Sequence, residues 1–356
     1  MEKIRFGKTG LQVSRIAFGG IPIQRVNMEE AVKMVRGVID LGVNFLDTAN
    51  GYNDSEEKIG LAIREMKRDN LVLASKSLAR DKKTFLAHLD LSLKRLGTEY
   101  LDLYYIHNVS SKEGYDSVFA EGGAYEGLTE AVRDGKVRFP AFSSHSVTLA
   151  LRIMREGGFA AVQLPFNYVD VEAGREAVPL ARELDMGFVA MKPFGGGLLD
   201  NAELSIKYLS QFDNIVPDPG IEKLSEMEEV VRIVESREKL TSDDEQAIAK
   251  VRDELGGSWC HRCDYCQPCP QKIGISTVLT VESFLKRIPY RHVVPLAGES
   301  MEAARGCTEC GTCAEKCPYK LDIPELIKEK LAVWDRYTDE YLKECEAENA
   351  ETEANC

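Results

Sequence analysis

Short apolar segments recur along the first 220 or so residues, at positions 16–19, 44–47, 71–76, 101–107, 137–143, 161–164, 187–192 and 215–218. Their continuous apolar character suits parallel strands covered on both faces. The stretches between them are amphipathic. Phe85, Leu89, Leu93 and Leu96 form a helical stripe, with Lys82, Lys83, Lys94 and Arg95 elsewhere on the turn. Ala31, Val35, Val38 and Ile39 repeat the pattern one unit earlier. Gly42, Gly97 and Gly135 follow predicted helix ends, where a left-handed residue is needed. Eight such units predict an α/β chain built on a (β/α)8 TIM barrel. An open doubly wound sheet is the alternative, and the missing G-x-G-x-x-G turn after the first strand counts against it. Gly7-Lys8-Thr9-Gly10 predicts a hairpin turn ahead of the barrel.

The chemistry past residue 255 is different. Cys260, Cys263, Cys266 and Cys269 precede Pro270, and Cys307, Cys310, Cys313 and Cys317 precede Pro318. The second run fits C-x2-C-x2-C-x3-C-P, the spacing of iron–sulfur ligands, while the first has one residue fewer before its last cysteine. Two such runs predict two [4Fe-4S] clusters, with zinc as the alternative occupant. The runs belong to an internal repeat. Cys269-Pro270-Gln271-Lys272-Ile273-Gly274-Ile275 echoes Cys317-Pro318-Tyr319-Lys320-Leu321-Asp322-Ile323, 48 residues later. The expected domains are a barrel over 1–255, a small, mainly α-helical iron–sulfur domain over 256–334 and an acidic tail over 335–356. His261 is expected at the surface.

Net charge is −13, which argues against nucleic acid or an acidic membrane as the main partner. The tail contributes eight acidic and two basic residues. Its end, 345–356, is expected to fray, with Cys345 and Cys356 as free thiols. No apolar run reaches transmembrane length, and Met1-Glu2-Lys3-Ile4-Arg5 does not open a signal peptide. Thiolate ligands and oxygen-labile clusters suit a reducing cytoplasm.

Active sites of such barrels lie at the C-terminal ends of the strands. There Asp47 ends the second strand, Tyr52 lies in the next loop, Lys76 ends the third and His107 the fourth. Together they read as a proton-donor site. A phenol with an ordinary pKa near ~10 donates poorly at neutral pH, and a buried ammonium beside it stabilises the phenolate. Asp47 would hold the lysine, and His107 would hydrogen-bond a substrate oxygen. Singly, these residues read as a helix cap, a rim salt bridge and a satisfied histidine. All four on one rim favour the functional reading.

Residues 1–255 resemble the aldo-keto reductase family. The likeness runs from Gly7-Lys8-Thr9-Gly10-Leu11 through Asp47-Thr48-Ala49 and Ser55-Glu56-Glu57 to Gly135-Lys136-Val137-Arg138. It places the family's tetrad on Asp47, Tyr52, Lys76 and His107, with Tyr52 as general acid toward a carbonyl. It places carboxamide contacts on Ser143, Ser144 and Gln163, and the pyrophosphate loop on Lys192 to Leu198, including Gly195, Gly196 and Gly197. Four positions depart from the family pattern. Ser144 replaces a common Asn, Met191 replaces the aromatic ring stacked on the nicotinamide, and Glu222 and Glu226 stand where basic or polar groups hold a 2′-phosphate. NAD(P)H is thus implied, with NADH favoured, and a flavin is the alternative occupant beside Met191. The cysteine region resembles ferredoxin-like dicluster modules. That likeness gives cluster one Cys260, Cys263, Cys266 and Cys317, and cluster two Cys307, Cys310, Cys313 and Cys269.

The expected protein is a cytoplasmic oxidoreductase acting on a small carbonyl or alcohol, with a ferredoxin-type redox partner. The alternatives are an electron-transfer protein, or a redox sensor that uses the barrel as a scaffold. Nicotinamides pass electron pairs and clusters pass single electrons. Either a flavin accompanies the barrel, or the clusters serve another partner or hold together a domain with little core; the second is the favoured expectation.

Overall fold

The computed structural model describes the backbone of residues 1–354 and the side chains of residues 1–346. Two compact units divide the chain, Met1–Ile248 and Ala249–Cys356. The division falls inside the helix Ser242–Leu255, whose buried residue is Ile248.

The first unit opens with a hairpin, β1 (Lys3–Arg5) and β2 (Gln12–Ser14), around the turn Gly7–Thr9. A parallel sheet follows: β3 (Phe18–Gly19), β4 (Phe45–Asp47), β5 (Val72–Ser77), β6 (Leu101–Ile106), β7 (Val137–Ser143), β8 (Ala161–Pro165), β9 (Gly187–Met191) and β10 (Val216–Asp218). Its strands pair in chain order from β3 to β10. The ring closes where Ala17 and Gly19 donate their N–H groups to the carbonyls of Pro217 and Pro219, both at 2.9 Å. The structure is therefore the expected (β/α)8 barrel, with each strand where the apolar segments place it.

Alternation along the strands sorts side chains between two cores. Phe45, Ala74, Leu103, Tyr105, Ala141, Ala161, Val189 and Val216 point inward, where Phe6, Leu11 and Val13 of the hairpin join them. Phe6 meets Phe45 edge-on at 5.5 Å. The hairpin thus plugs the end opposite the candidate site. Outward residues such as Leu73, Tyr104, Phe142 and Phe188 pack beneath the helices. The helix Lys82–Leu96 buries Phe85, Leu89 and Leu96 of its predicted stripe. Asp81 caps its start, and Gly97, at φ 65°, caps its end in the left-handed conformation.

The second unit is helical: Ile275–Leu279, Val281–Leu285, Tyr290–Arg305, Thr312–Lys316 and Ile323–Ala354. The sequence repeat is also a structural one. Lys272 and Lys320 both adopt left-handed backbone, and their N–H groups reach back to the carbonyls of Cys269 and Cys317. Each turn delivers two buried apolar residues, Ile273 with Ile275 and Leu321 with Ile323. This unit is not poor in core, contrary to expectation. Trp259, Val278, Val293, Met301, Leu326, Ile327 and Trp334 are buried as well. Residues 335–354 of the acidic tail continue the helix Ile323–Ala354. Its Tyr341 packs on Tyr290 at 5.1 Å. Cys345 is a free thiol, and Cys356 lies outside the described residues.

Candidate active site and cysteine pockets

Two residues beyond the apolar inner layer, the strands turn polar. Asp47 follows Phe45, Lys76 follows Ala74, Ser143 follows Ala141, Gln163 follows Ala161 and Asp218 follows Val216. Period-two geometry aims them all into the C-terminal mouth. Lys76 is 1% exposed. Its ammonium donates to Asp47 Oδ2 and, at 2.8 Å, to the Thr48 carbonyl. Burial alone would pull the Lys76 pKa down. The charge of Asp47 leads the neighbours that outweigh that and raise it, so the ammonium keeps its proton.

Tyr52 sits at the mouth, on a loop that Asn50 N–H pins to the Lys76 carbonyl at 2.9 Å. Its ring lies 5.3 Å from the Lys76 ammonium and meets the His107 ring edge-on at 5.9 Å. The Ser55-Glu56 pair anchors the helix that follows. Ser55 Oγ is 2.8 Å from Thr48 Oγ1, and Glu56 accepts from Ser75 at 2.6 Å. His107 stands just past the end of β6. Its pKa is held well below the ordinary value by burial and then by the charges of Lys76, Arg80 and Lys192. The imidazole is therefore neutral at physiological pH, and its Nδ1 is buried without a partner. The structure thus brings Asp47, Tyr52, Lys76 and His107 together on one rim.

The implied cofactor contacts are less uniform. Gln163 Nε2 donates to Asp47 Oδ2 at 3.2 Å and Asp218 Oδ2 at 3.1 Å, while its Oε1 is a buried acceptor with no partner. Such an orphaned acceptor suits a carboxamide N–H. Ser143 Oγ accepts from Asn108 N–H at 2.9 Å. Ser144 Oγ is taken up by its own turn, bonding the carbonyl and N–H of Ser146 and Ser110 Oγ. Met191 ends β9 on the inward face. Lys192, at φ 58°, starts a loop in which Gly195, Gly196 and Gly197 hold φ of 58°, 73° and 87°. That backbone is open to glycine and strained for most other residues, as a loop approached closely by phosphate requires. Glu226 is exposed and engaged by its own helix start. Its carboxylate accepts the N–H groups of Glu222 and Lys223 and caps the helix Leu224–Ser236. Glu222 is half-buried and pairs with Arg25 at 3.4 Å.

Sequence reading passed over Asp218, Tyr105, Arg80 and Arg25. Asp218 and Tyr105 obey the same period-two rule that places Lys76, so the signal was present. Arg80 donates to the carbonyls of His107 and Asn108, both at 2.9 Å, and clamps the loop that carries His107. No periodicity marks it.

In the second unit, Cys260, Cys263, Cys266 and Cys317 line one pocket with Leu279, Leu321 and Ile323. Burial pushes the Cys260 thiol up to about 11 and Cys266 to about 12. Bare thiolates would be costly there, and bound metal offsets that cost. Cys269 instead lies close enough to Cys313 for the charges to interact, as does Cys307. The last cysteine of each run thus stands near thiols of the other run. The loops share a backbone form as well: Arg262 and Glu309, then Asp264 and Gly311, are left-handed on either side of Cys263 and Cys310. Among the described residues, no three such side chains converge on a lone-ion site. One tetrahedral zinc, with bonds of about 2.3 Å, needs sulfurs roughly 3.8 Å apart, whereas a cubane spreads its ligands around a volume. His261 is not simply at the surface. It lines this pocket and stacks on Tyr319 at 3.8 Å.

A closed barrel with a buried lysine–carboxylate pair beneath a rim tyrosine, in a chain with paired cysteine loops, defines a redox enzyme. Residues 15–214 match the aldo/keto reductase family, and residues 259–322 match the 4Fe-4S dicluster domain. The chain belongs to the aldo/keto reductase family and is an oxidoreductase with a C-terminal ferredoxin-like 4Fe-4S dicluster domain. It is 29% identical over 238 residues to "Uncharacterized oxidoreductase YrpG" of Bacillus subtilis, covering 57% of this chain and 70% of that one. It is 26% identical over 215 residues to "Probable aldo-keto reductase 1" of Glycine max, covering 55% of this chain and 60% of that one. The soybean match therefore spans less than two-thirds of that protein. In fold, the chain resembles aldo-keto reductase AKR11C1 from Bacillus halodurans, with a TM-score of 0.62 at 23% identity over 70% of this chain and 96% of that one. Among the described residues, no helix is long and apolar enough to cross a membrane.

Proposed function

We propose that the barrel reduces a small carbonyl compound, or oxidises the corresponding alcohol, with Tyr52 as the proton donor. The observation that carries this reading is Lys76: a buried ammonium, kept charged by Asp47, set beside the Tyr52 ring at the open end of the barrel. A charge held there stabilises the phenolate left after donation and so makes the phenol a better acid. Neutral His107 can donate a hydrogen bond to the substrate oxygen and hold it near the Tyr52 hydroxyl. NAD(P)H, when bound, supplies hydride. Gln163 Oε1 and Ser143 would hold its carboxamide, and the loop from Lys192 through Gly197 would hold its phosphates.

Glu222 favours NADH in this proposal. It pairs with Arg25, so a 2′-phosphate placed there would meet a carboxylate of like charge beside the guanidinium. Glu222→Gln should therefore tighten NADPH binding by roughly 3- to 10-fold and leave NADH unchanged, measured as dissociation constants. Equal gains for both cofactors would remove the assignment.

We assign cluster one to Cys260, Cys263, Cys266 and Cys317, and cluster two to Cys307, Cys310, Cys313 and Cys269. A reducing cytoplasm and a ferredoxin-type partner fit these thiolate sites. The deciding experiment is anaerobic assay of cluster-free protein with NADH or NADPH and an activated aldehyde. Turnover supports a barrel that works by itself. Reduction only with a reduced ferredoxin would overturn the nicotinamide reading.

A further inference from the structure

Asp218 ends β10 and points into the mouth, where it is 7% exposed. Two carboxyl groups and one ammonium are thus buried together. Asp47 Oδ2 takes the Lys76 proton donor, and Gln163 Nε2 bridges Asp47 and Asp218. That shared donor holds the two carboxyls side by side. Even so, Asp47 Oδ1 and Asp218 Oδ1 are buried with no partner among protein donors. Ionising both acids would leave one negative charge unbalanced in a site that excludes water. A proton on one of them removes the excess and supplies the missing donor.

We propose that Asp218 is a positioning residue that stays a neutral acid, donates its proton to Asp47, and with Asp47 locks the Gln163 amide so that Oε1 faces the site as an acceptor. The inference rests on the tetrad reading for its catalytic meaning, since Asp218 acts through Asp47 and Lys76. The groups packed on it are consistent. Asp47 comes from β4, Lys76 from β5, Tyr105 from β6 and Gln163 from β8, while β3 presents only the Gly19 backbone, where an added Cβ would stand 3.1 Å from Asp218 Oδ1. Burial first, then the charge of Asp47, raise the Asp218 pKa well above the ordinary range, against the opposing pull of Lys76. Tyr105 is held as a neutral phenol by burial and then by the charge of Asp47, so it does not compete for the charge. The Gln163 amide cannot turn over cheaply, because its carbonyl would then face the acceptor oxygens of both acids. If Asp218 ionised, Lys76 would gain a second counter-charge, hold its proton more tightly and support the Tyr52 phenolate less.

Asp218→Asn tests this with readouts that do not need turnover. Asparagine is close in shape, always neutral, and can donate to Asp47 and accept from Gln163. The sign follows from the raised pKa. The folded protein retains a proton that the unfolded chain releases above about pH 4. The stability this group contributes is full below that pH and is lost as pH rises toward the folded-state pKa. Asp218→Asn should therefore melt no lower than wild type at pH 7 and should gain on it between pH 6 and 9. A markedly lower Tm at pH 7 would mean an ionised Asp218 paired with Lys76, and would overturn the proposal. Infrared spectra of wild-type protein labelled with 13C at aspartate carboxyls should show a protonated-acid carbonyl band at pH 7 that the variant lacks. Wild type without that band would also overturn it. Both results stand whether or not Tyr52 proves to be the proton donor.

Discussion

Tyr52→Phe is expected to cut kcat/KM for carbonyl reduction by about 10^2- to 10^4-fold, the range of a lost general acid, with cofactor affinity nearly intact. The expectation follows from what the substitution spares. The phenylalanine ring keeps the edge contact with His107 and the approach to the Lys76 ammonium, and the loop remains pinned by Asn50. Only the hydroxyl goes. Lys76→Met provides the contrast. It should lose activity too, but it leaves Asp47 buried without its counter-ion and should also cost roughly 3 to 5 kcal/mol of stability. A chemical denaturation series separates the two variants. Undiminished turnover in Tyr52→Phe would remove the tetrad reading.

Single cysteine replacements are expected to halve the cluster content in a crossed pattern. Anaerobically prepared wild type should carry about eight iron and about eight sulfide per chain, and either Cys269→Ala or Cys310→Ala about four of each. The surviving cluster in both variants should be cluster one. Cys317→Ala should instead spare cluster two, although Cys317 lies in the second run. The basis is the placement of Cys317 in the pocket of Cys260, Cys263 and Cys266, and of both Cys269 and Cys307 near Cys313. Electron paramagnetic resonance of the reduced variants should show the weak coupling of two clusters replaced by one isolated signal. Loss of iron confined to each cysteine's own run would contradict the crossed assignment, and stoichiometric zinc without sulfide would contradict both clusters.

The barrel was legible because its cause is local. Strands covered on both faces read as apolar runs, and helix stripes such as Phe85, Leu89 and Leu96 read as periodicity. Asp47, Lys76 and His107 were legible by the same logic, since each ends a recognisable strand or stands just beyond it. Asp218 ends one as well, but nothing in the sequence singles out that carboxylate. Its meaning depends on Asp47 and Gln163, which are distant in sequence and adjacent across the barrel mouth. Glu226 caps the start of its own helix through two backbone N–H groups, a role its charge alone does not reveal. Arg25 acquires its role only when the barrel closes and brings it to Glu222. In the second unit the cysteine spacing announced the clusters. The helical core behind them was hidden, because its apolar residues are spread over short helices and one long one.

The most direct measurement is isotopic. Cluster-loaded protein, kept anaerobic, is given an activated aldehyde and nicotinamide cofactor carrying deuterium at the transferable position. Mass spectrometry then locates the label in the alcohol. The account predicts one deuterium on the carbinol carbon from wild type, the same label from cluster-free protein, and almost no product from Tyr52→Phe. Alcohol formed without deuterium, its yield following cluster content, would show that electrons arrive singly and would contradict the account.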